Sequence, residues 1–323
     1  MATMKAVVAD RPGNGDVLRL AEVEKPKPVY GEILVKVAAC ALNPVDYKIR
    51  GGYFSNGRKY PAIYGYDVSG VVEKVAPDVT EFKPGEEVFY CGELAKQGAY
   101  AEYHVVSAEL VCRKPSNLTH IQAAALPLSG ITAWQALFTH TRLKIGETAA
   151  IYGAAGGVGS LAVQMARWAG AKVIGICSTA NVPIVSELGA DYAVDYTKTN
   201  VIEEVMKITR GEGADVVFET IGEERMIESF GFVKPFGRIV FLNAFGPGKF
   251  LHALNPARLK NAAIYCELMQ PSGKTLANIA TLAERGFIKP LVESVIGLGE
   301  IPAGHKRLKA RHGHGKIVVN TAM

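Results

Sequence analysis

Gly156, Gly157 and Gly159 separate an apolar run from an amphipathic one in T-A-A-I-Y-G-A-A-G-G-V-G-S-L-A-V-Q-M-A-R-W-A-G-A-K-V-I-G-I-C-S-T, residues 148–179. Strand, glycine turn, helix and second strand is the order that holds a dinucleotide pyrophosphate. Gly156 and Gly157 let backbone N–H groups approach phosphate oxygens with no Cβ between them. Gly159 lets the helix lie close to the strand. The helix N-terminus adds unpaired donors and the positive end of a dipole. The turn departs from G-x-G-x-x-G, because Ala154 and Ala155 follow Gly153.

The second strand ends in I-C-S-T-A-N-V-P. A site for NAD places an Asp or Glu near this point, roughly 20 residues past the glycines, on the ribose hydroxyls. No acid stands between Val173 and Ser186. Ser178, Thr179 and Asn181 offer donors to a 2′-phosphate, which a carboxylate would repel. NADP(H) is the expected cofactor. The stretch holds no Arg or Lys either, so the neutralising charge is missing or comes from elsewhere.

Composition and period indicate what must position this turn. A chain of 323 residues with 49% apolar residues suits two domains or one large one. The net charge of +5 is mild and dispersed, which gives no strong nucleic-acid or membrane signal. The densest basic run, Lys306, Arg307, Lys309, Arg311 and Lys316, reads as a solvated helix face. Five scattered cysteines suit a reducing compartment, and no secretory signal opens the chain, so a cytoplasmic location is expected. Residues 115–141 carry no charge, long enough to suggest a membrane span. Pro127, Gly130 and the many polar residues there argue instead for a pair of buried helices at a domain junction.

Up to about residue 120 the chain shows short β patterns separated by Gly and Pro turns, such as M-K-A-V-V-A, E-I-L-V-K-V-A and D-V-S-G-V-V-E-K-V. These predict a mostly antiparallel, barrel-like domain. Strands and helices then alternate, as in a doubly wound parallel sheet. Its six strands are A-A-I-Y, K-V-I-G-I-C, D-Y-A-V-D, A-D-V-V-F, G-R-I-V-F-L and A-I-Y-C. The last stretch is expected to return to the first domain. The expected boundaries are 1–122 for a catalytic β domain, 123–267 for a Rossmann domain, and 268–323 for the returning segment.

Further motifs carry a resemblance: C-A-L-N-P-V-D-Y-K-I-R-G-G-Y, G-Y-D-V-S-G-V-V, K-P-G-E-E-V, L-P-L-S-G-I-T-A-W-Q-A-L, L-G-A-D-Y-A-V-D-Y, G-A-D-V-V-F-E-T-I-G and G-K-I-V-V. With the glycine turn they resemble the medium-chain dehydrogenase/reductase superfamily over nearly the whole chain. Within it the chain is similar to the zinc-independent quinone oxidoreductase, or zeta-crystallin-like, group. The resemblance implies a GroES-like β domain beside the Rossmann domain. Zinc-dependent relatives place a cysteine where this chain has Asn43 and a histidine where it has Tyr66. They carry four close cysteines where this chain has only Cys91. Zinc needs three or four Cys, His or carboxylate ligands, so none is expected. His104, His120 and His140 stand isolated and read as structural.

Without a Lewis acid to stabilise an alkoxide, the favourable chemistry is hydride transfer from NADPH to an electron-poor acceptor, a quinone or an α,β-unsaturated carbonyl. By resemblance Asn43 faces cofactor and substrate, and Tyr53 corresponds to a proton donor, with Tyr47 and Tyr64 as rivals. Thr132 meets the nicotinamide or its ribose. Ala155, Gly156, Gly157 and Val158 line the pyrophosphate. Tyr196 resembles the residue that flanks the 2′-phosphate in NADPH-using relatives, and Asn181 stands where several relatives have a lysine; Ser178 is a donor read from the sequence. Ile221 and Phe245 fall at strand ends near the nicotinamide. An enoyl-thioester reductase and a non-catalytic NADPH-binding protein, crystallin-like or RNA-binding, are the alternatives. The group usually dimerises through the last Rossmann strand, here residues 262–268.

Overall fold

Period-two burial organises the first unit, which comprises Met1–Ile131, Pro271–Gly286 and Pro290–Met323. The computed structural model describes residues 2–53, 57–242, 258–310 and 313–323, with residues 223 and 224 described by backbone only. Strands β1 (Thr3–Ala9), β2 (Leu18–Glu24) and β4 (Ala62–Ile63) form a small antiparallel sheet in the order β2-β1-β4. A larger mixed sheet has the order β15-β16-β3-β5-β6-β8, with β7 also on β3. Its members are β3 (Glu32–Ala41), β5 (Asp67–Val75), β6 (Glu87–Cys91), β7 (Tyr103–Ser107), β8 (Val111–Arg113), β15 (Val292–Gly297) and β16 (Lys316–Asn320). All its pairings but β15–β16 are antiparallel. β3 and β5 approach closely at Gly70, where a Cβ would lie 2.2 Å from the Lys36 carbonyl oxygen.

Helix α1 (Pro44–Arg50) follows β3, with Pro44 in its first turn, where the missing N–H costs nothing. Helix α2 (His120–Ala124) starts on a capping box of Thr119 and Gln122. Ala124 and Ala125 pack against Ala39, Ala41 and Val318 of the large sheet. This alanine packing carries the first unit past the expected boundary at residue 122, to Ile131. Helix α3 (Pro127–Trp134) runs on into a π-helical turn, Gln135–His140. The uncharged stretch is therefore two short helices and a turn. No helix among the described residues is long and apolar enough to cross a membrane.

The second unit comprises Thr132–Gln270 and Phe287–Lys289. The six expected strands are all present: β9 (Thr148–Tyr152), β10 (Lys172–Cys177), β11 (Tyr192–Asp195), β12 (Ala214–Glu219), β13 (Val233–Phe241) and β14 (Ala263–Cys266). They form one parallel sheet in the order β11-β10-β9-β12-β13-β14. Helices α4 (Gly157–Trp168), α5 (Val182–Glu187), α6 (Val201–Ile208) and α7 (Glu223–Ser229) connect the first five strands. The strand order reverses at β9 and β12, the switch point at which such sheets bind ligands. Tyr152, Ile174, Ile176, Val205, Met226, Phe230 and Phe232 share one core cluster. The closing segment supplies α8 (Gly273–Glu284), β15, α9 (Ile301–Ala310) and β16, all in the first unit. The architecture is a Rossmann sheet plus a GroES-like β unit, as expected.

β14 ends the six-stranded sheet, and among the described residues no strand pairs with its outer edge. An edge of this kind is a template for another strand. Light scattering at micromolar concentration should give a homodimer of the 34.6 kDa chain, joined through residues 262–268. A particle with the mass of one chain would count against that pairing.

Candidate functional site

In the second unit the glycine turn is built by close approach. Gly153 has φ +61°, and a Cβ on it would meet Thr220 Oγ1 at 2.5 Å. A Cβ on Gly159 would lie 2.1 Å from the Gly153 carbonyl oxygen, which explains the third glycine. The Ala154 N–H donates to the Ile176 carbonyl at 3.1 Å and ties the turn to β10. Gly156 caps α4 in an extended conformation, and no side chain caps the helix. The first amides of α4, at Gly157, Val158 and Gly159, lack intrahelical acceptors. Uncapped amides at the end of a three-turn helix are a donor set that fits pyrophosphate oxygens. Ala155, Gly156, Gly157 and Val158 come together here.

At the end of β10, Asn181 Nδ2 donates to Ser178 Oγ at 3.2 Å. The Thr179 hydroxyl donates instead to Asp195 Oδ2 at 2.6 Å, so its single proton is not offered to a phosphate. This corrects the sequence reading of Thr179. The Thr197 amide and hydroxyl both donate to Asp195 Oδ1, at 3.0 and 2.7 Å. The Thr179 hydroxyl, followed by Thr197, holds the Asp195 carboxyl below the usual carboxylate range. The Tyr196 N–H donates to the Cys177 carbonyl at 3.1 Å, which sets Tyr196 beside Ser178, and its side chain is 45% exposed. Ile221, 40% exposed, leans over the Gly153 turn. Buried Glu219 holds the Ile221–Gly222 bend by accepting from the Ile221 amide and from the Gly222 amide at 2.8 Å. Thr132 is buried on α3. Phe245 lies outside the described residues.

The first unit holds a buried polar core. Lys316 is 5% exposed, and its Nζ lies 2.9 Å from Asp67 Oδ2 and 2.5 Å from Asn43 Oδ1. Lys316 therefore does not belong to a solvated basic face; it opens β16 on the side shared with buried Val318. Asn43 Nδ2 donates to Asp67 Oδ2 at 2.8 Å and, more weakly, to the Ala41 carbonyl at 3.4 Å. Asn43 is 1% exposed, with its amide turned inward, in contrast to the substrate-facing role the resemblance implies. The Leu128 amide donates to the other Asp67 oxygen at 2.6 Å.

A second chain of hydrogen bonds runs beside it. The Asn43 amide and the Tyr100 hydroxyl donate to Asp46 Oδ2 at 2.7 and 2.6 Å. His305 Nε2 is 3.0 Å from the Tyr100 hydroxyl, and its Nδ1 is 2.5 Å from Arg50 Nη1. A guanidinium only donates, so His305 carries its proton on Nε2 and passes it toward Tyr100. Burial, with help from the Arg50 charge, holds the imidazole down to about 3. Burial pushes the Asp46 carboxyl up to about 7 against the Tyr100 and Asn43 donors.

Among the candidate tyrosines, Tyr64 and Tyr66 are fully buried, and burial pushes the Tyr64 phenol up to about 12. Tyr53 is 47% exposed, and its amide donates to the Lys48 carbonyl at 3.0 Å, which fixes it to the end of α1. Tyr47 is half-buried on α1. His104 lies between the Tyr90 hydroxyl and the Gln97 carbonyl, His120 between Ser69 and Glu87, and His140 against Glu267. Each has protein partners.

Residues 30–116 match the family model described as the alcohol dehydrogenase GroES-like domain, and residues 157–278 match the one described as zinc-binding dehydrogenase. The chain is 31% identical to zebrafish (Danio rerio) "NAD(P)H oxidoreductase RTN4IP1, mitochondrial", over 98% of this chain and 91% of that protein. It is 34% identical to the Arabidopsis thaliana chloroplastic NADPH-dependent alkenal/one oxidoreductase, over 98% and 79%. The pig (Sus scrofa) quinone oxidoreductase is 30% identical over 98% and 97%. The chain belongs to the medium-chain dehydrogenase/reductase superfamily, in its quinone oxidoreductase group. A crystal structure described as an NAD-dependent alcohol dehydrogenase superposes with a TM-score of 0.93 at 30% identity, covering 98% of this chain and 100% of that one. The protein is thus an oxidoreductase that uses a nicotinamide cofactor.

Sequence reasoning placed Lys316 on a solvated face, where the fold buries it, and singled out neither Tyr100 nor His305. For Lys316 a signal was present, because period-two alternation in K-I-V-V places it on one face with Val318. Removing one member of a buried ion pair strands the other. Lys316→Met should destabilise the protein by about 3–5 kcal/mol in urea unfolding, and adding Asp67→Asn should recover part of the loss. A loss below about 1 kcal/mol, the value of an exposed pair, would contradict this account.

The Asp46 carboxyl titrates at 3.8 in the unfolded chain and near 7 in the fold, so folding favours its protonated form. Its contribution to stability is present below pH 3.8 and is lost as pH rises through about 7. Asp46→Asn keeps an acceptor for Tyr100 and for the Asn43 amide but does not titrate. Denaturant midpoints across that window should fall with pH more steeply in the wild type than in Asp46→Asn; parallel profiles would refute the assignment.

Proposed function

We propose that the chain is a zinc-independent, NADPH-dependent reductase that delivers hydride to a quinone or an α,β-unsaturated carbonyl. The observation that carries this reading is the Lys316–Asp67–Asn43 cluster. Where the resemblance puts metal-ligand positions, this chain has an amide engaged at both ends and a buried phenol, Tyr66. The amide oxygen and the Asp67 carboxylate already face an ammonium, a donor set unlike the thiolate, imidazole and carboxylate ligands of zinc. A reaction without a Lewis acid needs an acceptor that delocalises the developing charge itself.

When bound, the reduced nicotinamide supplies the hydride. The amides of Gly157 and Val158 hold its pyrophosphate, and Ala155 and Gly156 leave room for it. Asn181 donates to Ser178 Oγ, which leaves the Ser178 proton free to point at a 2′-phosphate. Asn181 therefore positions rather than binds. Asp195 is the carboxylate at the end of β11, and the hydroxyls of Thr179 and Thr197 donate to it. Such a carboxylate is not offered to the ribose hydroxyls, and this supports NADPH over NADH. The names of the relatives span NAD, NADPH and NAD(P)H, so the preference rests on these residues.

Tyr53 holds the proton for the reduced acceptor. A phenol on a rigid ring offers one well-aimed donor. Asn43 acts as a positioning residue: it caps α1, and the end of that helix fixes Tyr53. General acid assistance is worth about 10²- to 10⁴-fold. Tyr53→Phe should lower kcat for enones by that factor with NADPH affinity unchanged. Quinone reduction should fall less, because its reduced anion takes a proton from water. A turnover screen with NADPH against quinones, alkenals, alkenones and enoyl thioesters reads the acceptor class. Full activity of Tyr53→Phe on both quinones and enones would remove Tyr53 from the mechanism, and turnover of enoyl thioesters alone would replace the proposed substrate class.

A further inference from the structure

The stretch after β10 has donors for a phosphate but no cation, and a dianion without a counter-charge is poorly held. The fold brings a cation to this place from far along the chain. Arg225, on α7, lies over the Tyr196 ring with its guanidinium carbon 5.5 Å from the centroid. Tyr196 is itself tied by its amide to Cys177, the residue before Ser178. The guanidinium is held from its other side as well. Arg225 Nη1 donates to Glu228 Oε2 at 2.7 Å, and the same carboxylate oxygen accepts from the Tyr152 hydroxyl at 2.9 Å. Tyr152 is the last residue of β9, directly before the glycine turn. Contacts from Tyr196 after β11 and from Glu228 on α7, which is itself hydrogen-bonded to Tyr152 at the end of β9, thus fix the position of Arg225. Glu228 takes one of its five N–H donors, and the side chain remains 39% exposed.

We propose that Arg225 is the cation that neutralises the 2′-phosphate of NADP(H), with its guanidinium held ready by Tyr196 and Glu228. The proposal rests on the NADPH reading above and deepens it by naming the residue that sets the preference. A guanidinium stacked on a tyrosine face keeps its N–H edge available, and a planar fork matches two phosphate oxygens. Among the described residues, another cation near these strand ends is Lys198, 67% exposed and 4.0 Å from Asp195. A long, mobile side chain already drawn to a carboxylate is a poorer phosphate ligand than a stacked guanidinium.

The test is equilibrium binding, read by calorimetry, of NADPH, NADH, 2′,5′-ADP and 5′-AMP to the wild type and to Arg225→Gln, Arg225→Lys and Lys198→Gln. The wild type should favour NADPH over NADH and 2′,5′-ADP over 5′-AMP. Arg225→Gln should weaken the two phosphorylated ligands about 10- to 100-fold, the range for a lost charge-assisted contact, and leave NADH and 5′-AMP unchanged. Arg225→Lys should keep part of the preference, and Lys198→Gln should keep nearly all of it. If the wild type discriminates and Arg225→Gln discriminates equally well, this proposal is overturned and the NADPH reading stands. Loss of the preference in Lys198→Gln but not in Arg225→Gln moves the role to Lys198. A wild type that binds both cofactors equally removes the NADPH reading and this proposal together. Should Arg225→Gln fail to fold, Arg225→Lys decides: a preference fully equal to the wild type's would overturn the need for the guanidinium fork.

Discussion

The ion pair between Lys316 and Asp67 organises the first unit. It joins β16 at the end of the chain to β5 near its start, 249 residues apart. Asp67 also receives the Leu128 amide at the head of α3 and the Asn43 side chain at the head of α1. Four segments therefore meet at one carboxylate. Two charges buried this deeply are tolerable only if their remaining donors and acceptors find partners, and Asn43 bonds to both members of the pair. The helix that carries Tyr47 and fixes Tyr53 is capped by the same asparagine. The helix whose end holds the Tyr53 amide thus starts at a residue hydrogen-bonded to both members of a buried charge pair.

A different constraint governs the second unit, the approach of backbone to backbone around Gly153. Gly159 lets α4 press on the Gly153 carbonyl, and the turn is tied to β10 through Ala154. The tight packing leaves the end of α4 uncapped, and its free amides are the feature a pyrophosphate uses. Near this fixed turn the ends of β10 and β11 set Tyr196 beside Ser178, and Arg225 of α7 lies over the Tyr196 ring.

Hydrogen-bond partners changed the meaning of several residues whose types were read correctly. Thr179 and Ser178 are adjacent hydroxyls, yet one is committed to Asp195 and the other is not. Asn181, which stands where several relatives have a lysine, donates to Ser178 Oγ. The Arg50–His305–Tyr100–Asp46 chain is ordered in one direction because its first member can only donate. Such assignments depend on which atoms face each other.

The sequence alone determined the two-part architecture, all six Rossmann strands and the dinucleotide turn. These are local signals: apolar runs of strand length, helical periods, and glycines where backbones must touch. The resemblance of the N-P-V-D and G-Y-D motifs picked out Asn43, Tyr53 and Tyr66 by position. Only the tertiary structure decided that Lys316 is buried, that Asn43 faces inward, and that Arg225 stacks on Tyr196. Each of these depends on a partner far along the chain, and a side chain's charge or hydrogen-bonding capacity does not say where its partner lies. Period and composition report what a residue can do, and the fold chooses which neighbour it does it to.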